Sequence, residues 1–234
     1  MNTSPPISLE RIHRFYLSVV IGSALFVLLT FIAMFVYTGG SYDHPAAPGY
    51  SFTHNFFSDL GRITAHSGKP NWISAVLFFL ALSIAGVSLV IFFILFERLF
   101  RHGHLQQLLC RVGSALGVLA GICFIGVAFA PADIALSIHG QFVIWAFRLF
   151  PLAVLFYTPA MFMDKQYPRR SAWVFTIFCL LLIGYYLLLT NGPSITSPSG
   201  LVIQALGQKV IVYASILSIG ILSLEAYKYT AVVN

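Results

Sequence analysis

Residues 72–96 read WISAVLFFLALSIAGVSLVIFFILF, an unbroken apolar run with no charged side chain and no proline. A hydrocarbon core about 30 Å thick needs about 20 apolar residues per helical crossing, so this run is long enough to span. It lacks the alternation of a transmembrane strand. Working outward from it, five further runs of similar character lie at 15–37, 112–130, 140–163, 172–190 and 201–224. The expected fold is therefore an all-α membrane protein, a bundle of six transmembrane helices forming a single domain over 1–234. Composition agrees: of 234 residues 59% are hydrophobic and only 9% charged, and the mean hydropathy of +0.88 lies far outside the range of soluble domains.

The net charge of +6 does not signal a nucleic-acid partner, because the cations are sorted by position. Arg11, Arg14, Arg98, Arg101, Arg111, Lys165, Arg169, Arg170 and Lys228 all fall at one set of helix ends. The positive-inside rule places those ends, and with them both termini, in the cytoplasm of a multi-pass protein of the cell membrane. The connection 38–71 is then outside, with Arg62 and Lys69. The first apolar run exceeds a signal-peptide core and is read as a retained helix. Cys110, Cys123 and Cys179 sit in or beside spans, so no disulfide framework is implied. No glycine-rich phosphate loop occurs, which disfavours nucleotide chemistry.

The loop 38–71 is too long for a simple helix-to-helix turn, and within it His54-Asn55-Phe56-Phe57-Ser58-Asp59-Leu60-Gly61-Arg62 is unusually polar for this chain. Read as one or two turns of helix, it sets His54, Ser58 and Arg62 on one stripe and Phe52, Phe56 and Leu60 on another. Asp59 and Arg62, three apart, are an expected ion pair.

Two cations fall inside spans. Arg148, nine residues past His139, lies about 13 Å below the outer end of its helix at 1.5 Å per residue. An arginine there costs at least about 2.5 kcal/mol unless protein or water receives it, and Pro151 just beyond it offers a freed carbonyl. Lys209 follows Gln208 in the last span, with Gln204 one turn earlier. Asp59 and Asp133 are the acids within plausible reach. With His54, Asn55, Ser58, Arg62, His139 and Gln208 these residues are expected to line a pocket open to the outside. The bland counterpart is a buried ion-pair network that fixes helix register, and a buried pair is weak grounds for stability.

Asn55-x-x-Ser58-Asp59-Leu60-Gly61 in the first outer loop, followed by Pro131-x-Asp133 and His139 before the fourth helix, resembles the prokaryotic membrane family catalogued as domain of unknown function 998. More distantly the pattern is similar to six-helix proteins of the damage-regulated autophagy modulator class. The likeness covers helix count, loop placement and motif order along nearly the whole chain. It implies a shared outer site of Asn55, Ser58, Asp59, Gly61, Asp133 and His139. Relatives often carry an acid or amide before a basic residue in the last helix, a place that Gln208-Lys209 would fill. The family has no settled activity, so the resemblance points to a site and names no reaction.

The pocket is expected to bind or transport a lipid headgroup or small polar ligand, with membrane lipids as partners and no cofactor. An alternative is a metal-dependent membrane hydrolase with zinc on His54, Asp59, Asp133 and His139, and a Ser58-His139-Asp133 hydrolase lacks a nucleophile elbow. A third reading is a non-catalytic assembly protein. Gly113, Gly117 and Gly121, spaced by four, form a bare face suited to close helix packing; contact within the bundle is the expectation and a homodimer the alternative. His102 and His104 beside three arginines read as a solvated basic loop.

Overall fold

The computed structural model describes residues 9–100 and 103–232; the polar lead 1–8 and, in the basic loop, Arg101 and His102 fall outside the described residues. Six α-helices follow in order: α1 (Leu9–Val36), α2 (Trp72–Phe96), α3 (His104–Phe129), α4 (Leu136–Met163), α5 (Arg169–Asn191) and α6 (Pro198–Val232). All six are long and apolar enough to cross a membrane. Single turns of 3-10 helix occupy Phe57–Gly61 and Glu97–Leu99. Among the described residues there is no strand, only a lone bridge between Thr64 and Pro70.

Several helices outrun their apolar stretches. α1 begins six residues before Phe15, α3 eight before Val112, and α6 continues eight past Leu224. Hydropathy registers the thickness of hydrocarbon, whereas helical hydrogen bonding continues into the polar ends. There charged residues four apart stabilise it, as Arg14 does with Glu10 in the first turns of α1.

Each helix packs against its neighbours in sequence, and α6 returns to α1, closing a ring. The basic connections between α2 and α3 and between α4 and α5 lie at one end with the start of α1 and the end of α6. The 38–71 loop and the short α3–α4 and α5–α6 turns lie at the other. Toward the basic end the ring is filled by aromatic side chains, with Phe93 and Phe96 of α2 against Tyr157 of α4 and Phe96 stacked on Phe175 of α5. A second cluster, including Phe26, Phe57, Leu60 and Phe78, fills the loop end.

The glycine face of α3 is used inside the chain. Gly113 lies against Tyr157 and the Ala153 carbonyl, Gly117 beneath the Phe93 ring, and Gly121 against Val90 and the Gly86 carbonyl. A dimer through this face would have to displace α2 and α4. The three cysteines are free thiols, two of them buried.

Candidate functional site

The 38–71 loop folds into a lid over one end of the ring. Gly39 and Gly40 leave α1 with φ of 110° and 82°, a region that L side chains rarely enter. The reversal lets Gly40 N donate to Ala47 O (2.8 Å) and brings Ser67 N to Gly39 O (3.1 Å). Asn71, at the foot of α2, ties the loop to itself: its Oδ1 accepts from Thr38 N, and its Nδ2 donates to the Leu60 and Arg62 carbonyls.

Between these anchors the 3-10 turn Phe57–Gly61 enters the mouth of the ring. Phe57 is 3% exposed and Leu60 0%, and the Phe57 ring packs on Phe26 of α1, Phe78 of α2 and Tyr213 of α6. This replaces the α-helical stripes expected from the sequence. Residues 52–55 are turn and bend rather than helix, Phe52 is exposed, and Phe57 with Asp59 and Leu60 points inward. A 3-10 turn has three residues per turn, so spacing by four does not define its faces.

Asp59 is the hub of the lid. Its Oδ2 accepts from Asn55 Nδ2 (3.1 Å) and Phe56 N (2.9 Å), and its Oδ1 faces His66 Nε2 at 3.1 Å. Asn55 is fully buried; its Nδ2 also donates to Gly40 O and its Oδ1 accepts from Ser51 N. The expected Asp59–Arg62 ion pair does not form. Arg62 Nε donates to Thr64 O instead, and only its backbone N–H reaches the Asp59 carbonyl. Sequence spacing does not reveal His66 as a partner of Asp59: residues 62–66 are not helical, so the path of the loop, and not a shared helix face, brings the two together.

Two residues of α6 meet the lid. Gln208 Oε1 accepts from Phe57 N at 2.6 Å. Lys209, only 1% exposed, donates to the backbone carbonyl of Asn55 and, at 3.2 Å, to Ala205 O. Its ammonium lies 5.4 Å from the centre of the Tyr50 ring and 5.2 Å from that of Phe52, within cation–π range. Among the described residues no carboxylate pairs with it. Tyr50 donates to Phe56 O at 3.0 Å, and burial pushes its phenol well above the ordinary value.

The remaining candidates form no hydrogen bond or ion pair with Lys209. Asp133 accepts from Ile63 N (3.1 Å) and Thr64 N (2.8 Å), clasping the lid to the α3–α4 turn. His139 is buried, with Nδ1 2.7 Å from Ala130 O. Ser58 is half-buried. His54 Nδ1 contacts Thr53 Oγ1 at 2.8 Å, while its Nε2 and that of His44 stand 3.9 and 3.6 Å from Asp43 Oδ2. Gln204 donates to the Leu188 carbonyl of α5.

Arg148 does not join the lid. It is exposed on the outside of the bundle, where Nε donates to Tyr186 OH of α5 at 3.1 Å and the guanidinium lies 5.3 Å from the Trp145 ring. The pocket with two cations and two acids is therefore not assembled: the aromatic surface that holds Arg148 sits on the outer seam of α4 and α5. The zinc set is likewise divided among separate engagements, as is Ser58-His139-Asp133. Among the described residues no three His, Cys, Asp or Glu side chains are grouped to hold a metal.

Below the Phe57 plug a partly open cavity of about 60 Å³ runs between α1, α2, α3, α4 and α6, lined by Ser23, Phe26, Ser88, Val212, Ser215 and Ile216 among others. Ser23 and Ser215 spend their hydroxyls on the carbonyls of Val19 and Ile211 in their own helices, so the lining is mostly apolar. Lys209, Val212, Ile216 and Ile219 follow one another by three or four residues and share a stripe of α6. The buried ammonium therefore stands at the head of the stripe that lines the cavity.

No family model, curated protein or solved structure matches this chain.

Proposed function

We propose that this multi-pass membrane protein binds, and moves or presents, an amphipathic ligand with an anionic head, such as a lipid headgroup with its chain, at the site beneath the lid. The observation that carries the reading is Lys209: an ammonium withdrawn from water whose direct partners are carbonyl oxygens and aromatic faces, with the Asp59 carboxylate acting on it only from beyond ion-pair distance. Removing a cation from water costs several kcal/mol that neutral partners repay poorly, so its retention favours use over stability. The Asn55 carbonyl occupies the position an anionic oxygen would take, and the Phe57 ring stands over the apolar cavity where a chain would begin. The lid is thus a displaceable surrogate for the ligand.

In this reading the lid faces away from the cytoplasm and both termini lie within it, as the sorting of basic residues suggests. Membrane lipids are the partners, nucleic acid is not, and no cofactor is called for. The resemblance of the Asn55–Gly61 and Pro131–His139 segments to the prokaryotic family belongs to the same proposal.

A second reading, a plug that only closes the bundle, is favoured by the way the side chains of Asp59, Asn55 and Asp133 find their partners within the lid. Native mass spectrometry of the protein extracted from its membrane separates the two. A ligand-binding site retains an anionic lipid that Lys209→Met releases, with the fold intact by thermal unfolding. Equal retention by wild type and Lys209→Met in folded protein leaves only the plug.

A further inference from the structure

Arg148 is the single Asp, Glu, Lys or Arg within α4, and α5 has none beyond Arg170. Twelve residues separate it from the start of α4 and fifteen from the end, about 18 and 22 Å at 1.5 Å per residue. It therefore lies near mid-depth of a membrane-crossing helix, on its exposed side. Trp145, Leu152, Leu155 and Ile183 around it are exposed apolar side chains. A cation at mid-depth on a lipid-facing surface is expensive, and such residues ordinarily turn inward or find a partner. Here Nε donates to Tyr186 OH and the guanidinium faces the Trp145 and Tyr186 rings, but the two Nη groups are left without a hydrogen-bond acceptor among the described residues.

The surface around the guanidinium has a shape. A groove of about 360 Å³ bounded by Trp145, Arg148, Leu152 and Tyr186 continues through Leu155 and Ile183 into a second of about 410 Å³ that reaches Pro159 and Thr176. From Trp145 to Pro159 the seam runs about 21 Å along α4, most of a hydrocarbon core.

We infer that the α4–α5 seam receives a transmembrane helix of another protein carrying an Asp or Glu at mid-depth, whose carboxylate takes the two free Nη groups of Arg148. A planar guanidinium with its Nη pair free is suited to a carboxylate in a two-bond fork. Tyr186 holds Nε and so fixes the plane of the fork. A second copy of this chain cannot supply the acid. Its seven acids lie in the lid, in turns or toward helix ends, and Glu225, the deepest in a helix, is engaged by Arg170.

The test uses the full chain reconstituted in phosphatidylcholine vesicles with fluorophore-labelled Leu-Ala transmembrane peptides that differ at one central position, Glu or Leu. Energy transfer is expected to show the Glu peptide associating at least tenfold more tightly than the Leu peptide at pH 8. Arg148→Leu should abolish the preference and Arg148→Lys should keep part of it. Equal association of the two peptides, or a preference that survives in Arg148→Leu, overturns the inference. So does an anionic lipid seen by native mass spectrometry, retained through Arg148, if the peptides show no preference, since the groove is then a headgroup site. Arg148→Leu places an apolar residue on an apolar surface, so the variant folds and each outcome can be read.

Discussion

His66 Nε2 lies 3.1 Å from Asp59 Oδ1, seven residues apart along the lid and enclosed within it. With Asn55 Nδ2 and Phe56 N on the other oxygen, the carboxylate gathers three donors from the loop that has to close. Removing it strands buried donors, which costs more than a hydrogen bond is worth when made. Asp59→Ala should cost about 3 kcal/mol and His66→Ala about 1 kcal/mol, read as thermal unfolding in detergent with hydrogen exchange of residues 55–61. An Asp59→Ala protein as stable and as protected as wild type would contradict the hub.

Gly40 has φ of +82°, and a Cβ there would meet the backbone N of Ser67; Gly49 has φ of +63° with open space around it. Both pay the left-handed strain of about 1 kcal/mol as alanine, but only Gly40 adds a clash with backbone. Gly40→Ala should therefore cost at least about 2 kcal/mol and Gly49→Ala about half that or less. Comparable losses at the two positions would show that the lid does not hold Gly40 against Ser67.

A Cβ on Gly117 would overlap the Phe93 ring. Gly117→Leu should lower stability by about 3 kcal/mol through overpacking, with the oligomeric state by light scattering unchanged from wild type. Loss of a dimer with no loss of thermal stability would place this face between copies.

Arg148→Leu and Lys209→Met separate an exposed cation from a buried one. The first should change stability by no more than about 0.5 kcal/mol. The second exchanges a buried charge for an apolar side chain of similar length, a change that is often neutral or stabilising. A marked loss of thermal stability in Lys209→Met would mean that the ammonium holds the lid down and would weaken the ligand reading.

At Asp43 burial raises the carboxyl, but the hydrogen bond from Ser41, its own backbone N–H and the charges of His44 and His54 together outweigh it and hold it below the ordinary value of 3.8. A lowered carboxyl contributes stability that is complete above its unfolded value and lost as pH falls through the folded one. Protection of residues 40–47 from hydrogen exchange should therefore be constant from pH 7 to 5 and fall below about 4. Protection that stays unchanged down to about pH 3 would contradict this role of Asp43.

The chain by itself determined the six crossings and the tightness of the α3 glycine face, because burying apolar surface in hydrocarbon depends on local composition and helical spacing, both written along the sequence. It also marked Asn55, Asp59, Gln208 and Lys209 as polar residues out of keeping with their surroundings. Tertiary structure alone decided how they are answered. The direction of Arg148 turns on rotation of α4 within the ring, which put its guanidinium against Tyr186 rather than beneath the lid. The partnership of Asp59 with His66 in place of Arg62 follows from a 3-10 turn and a chain reversal at Gly39 and Gly40. Hydropathy reports how deep a residue lies, while the azimuth of a helix and the path of a loop are set by packing among elements distant in sequence.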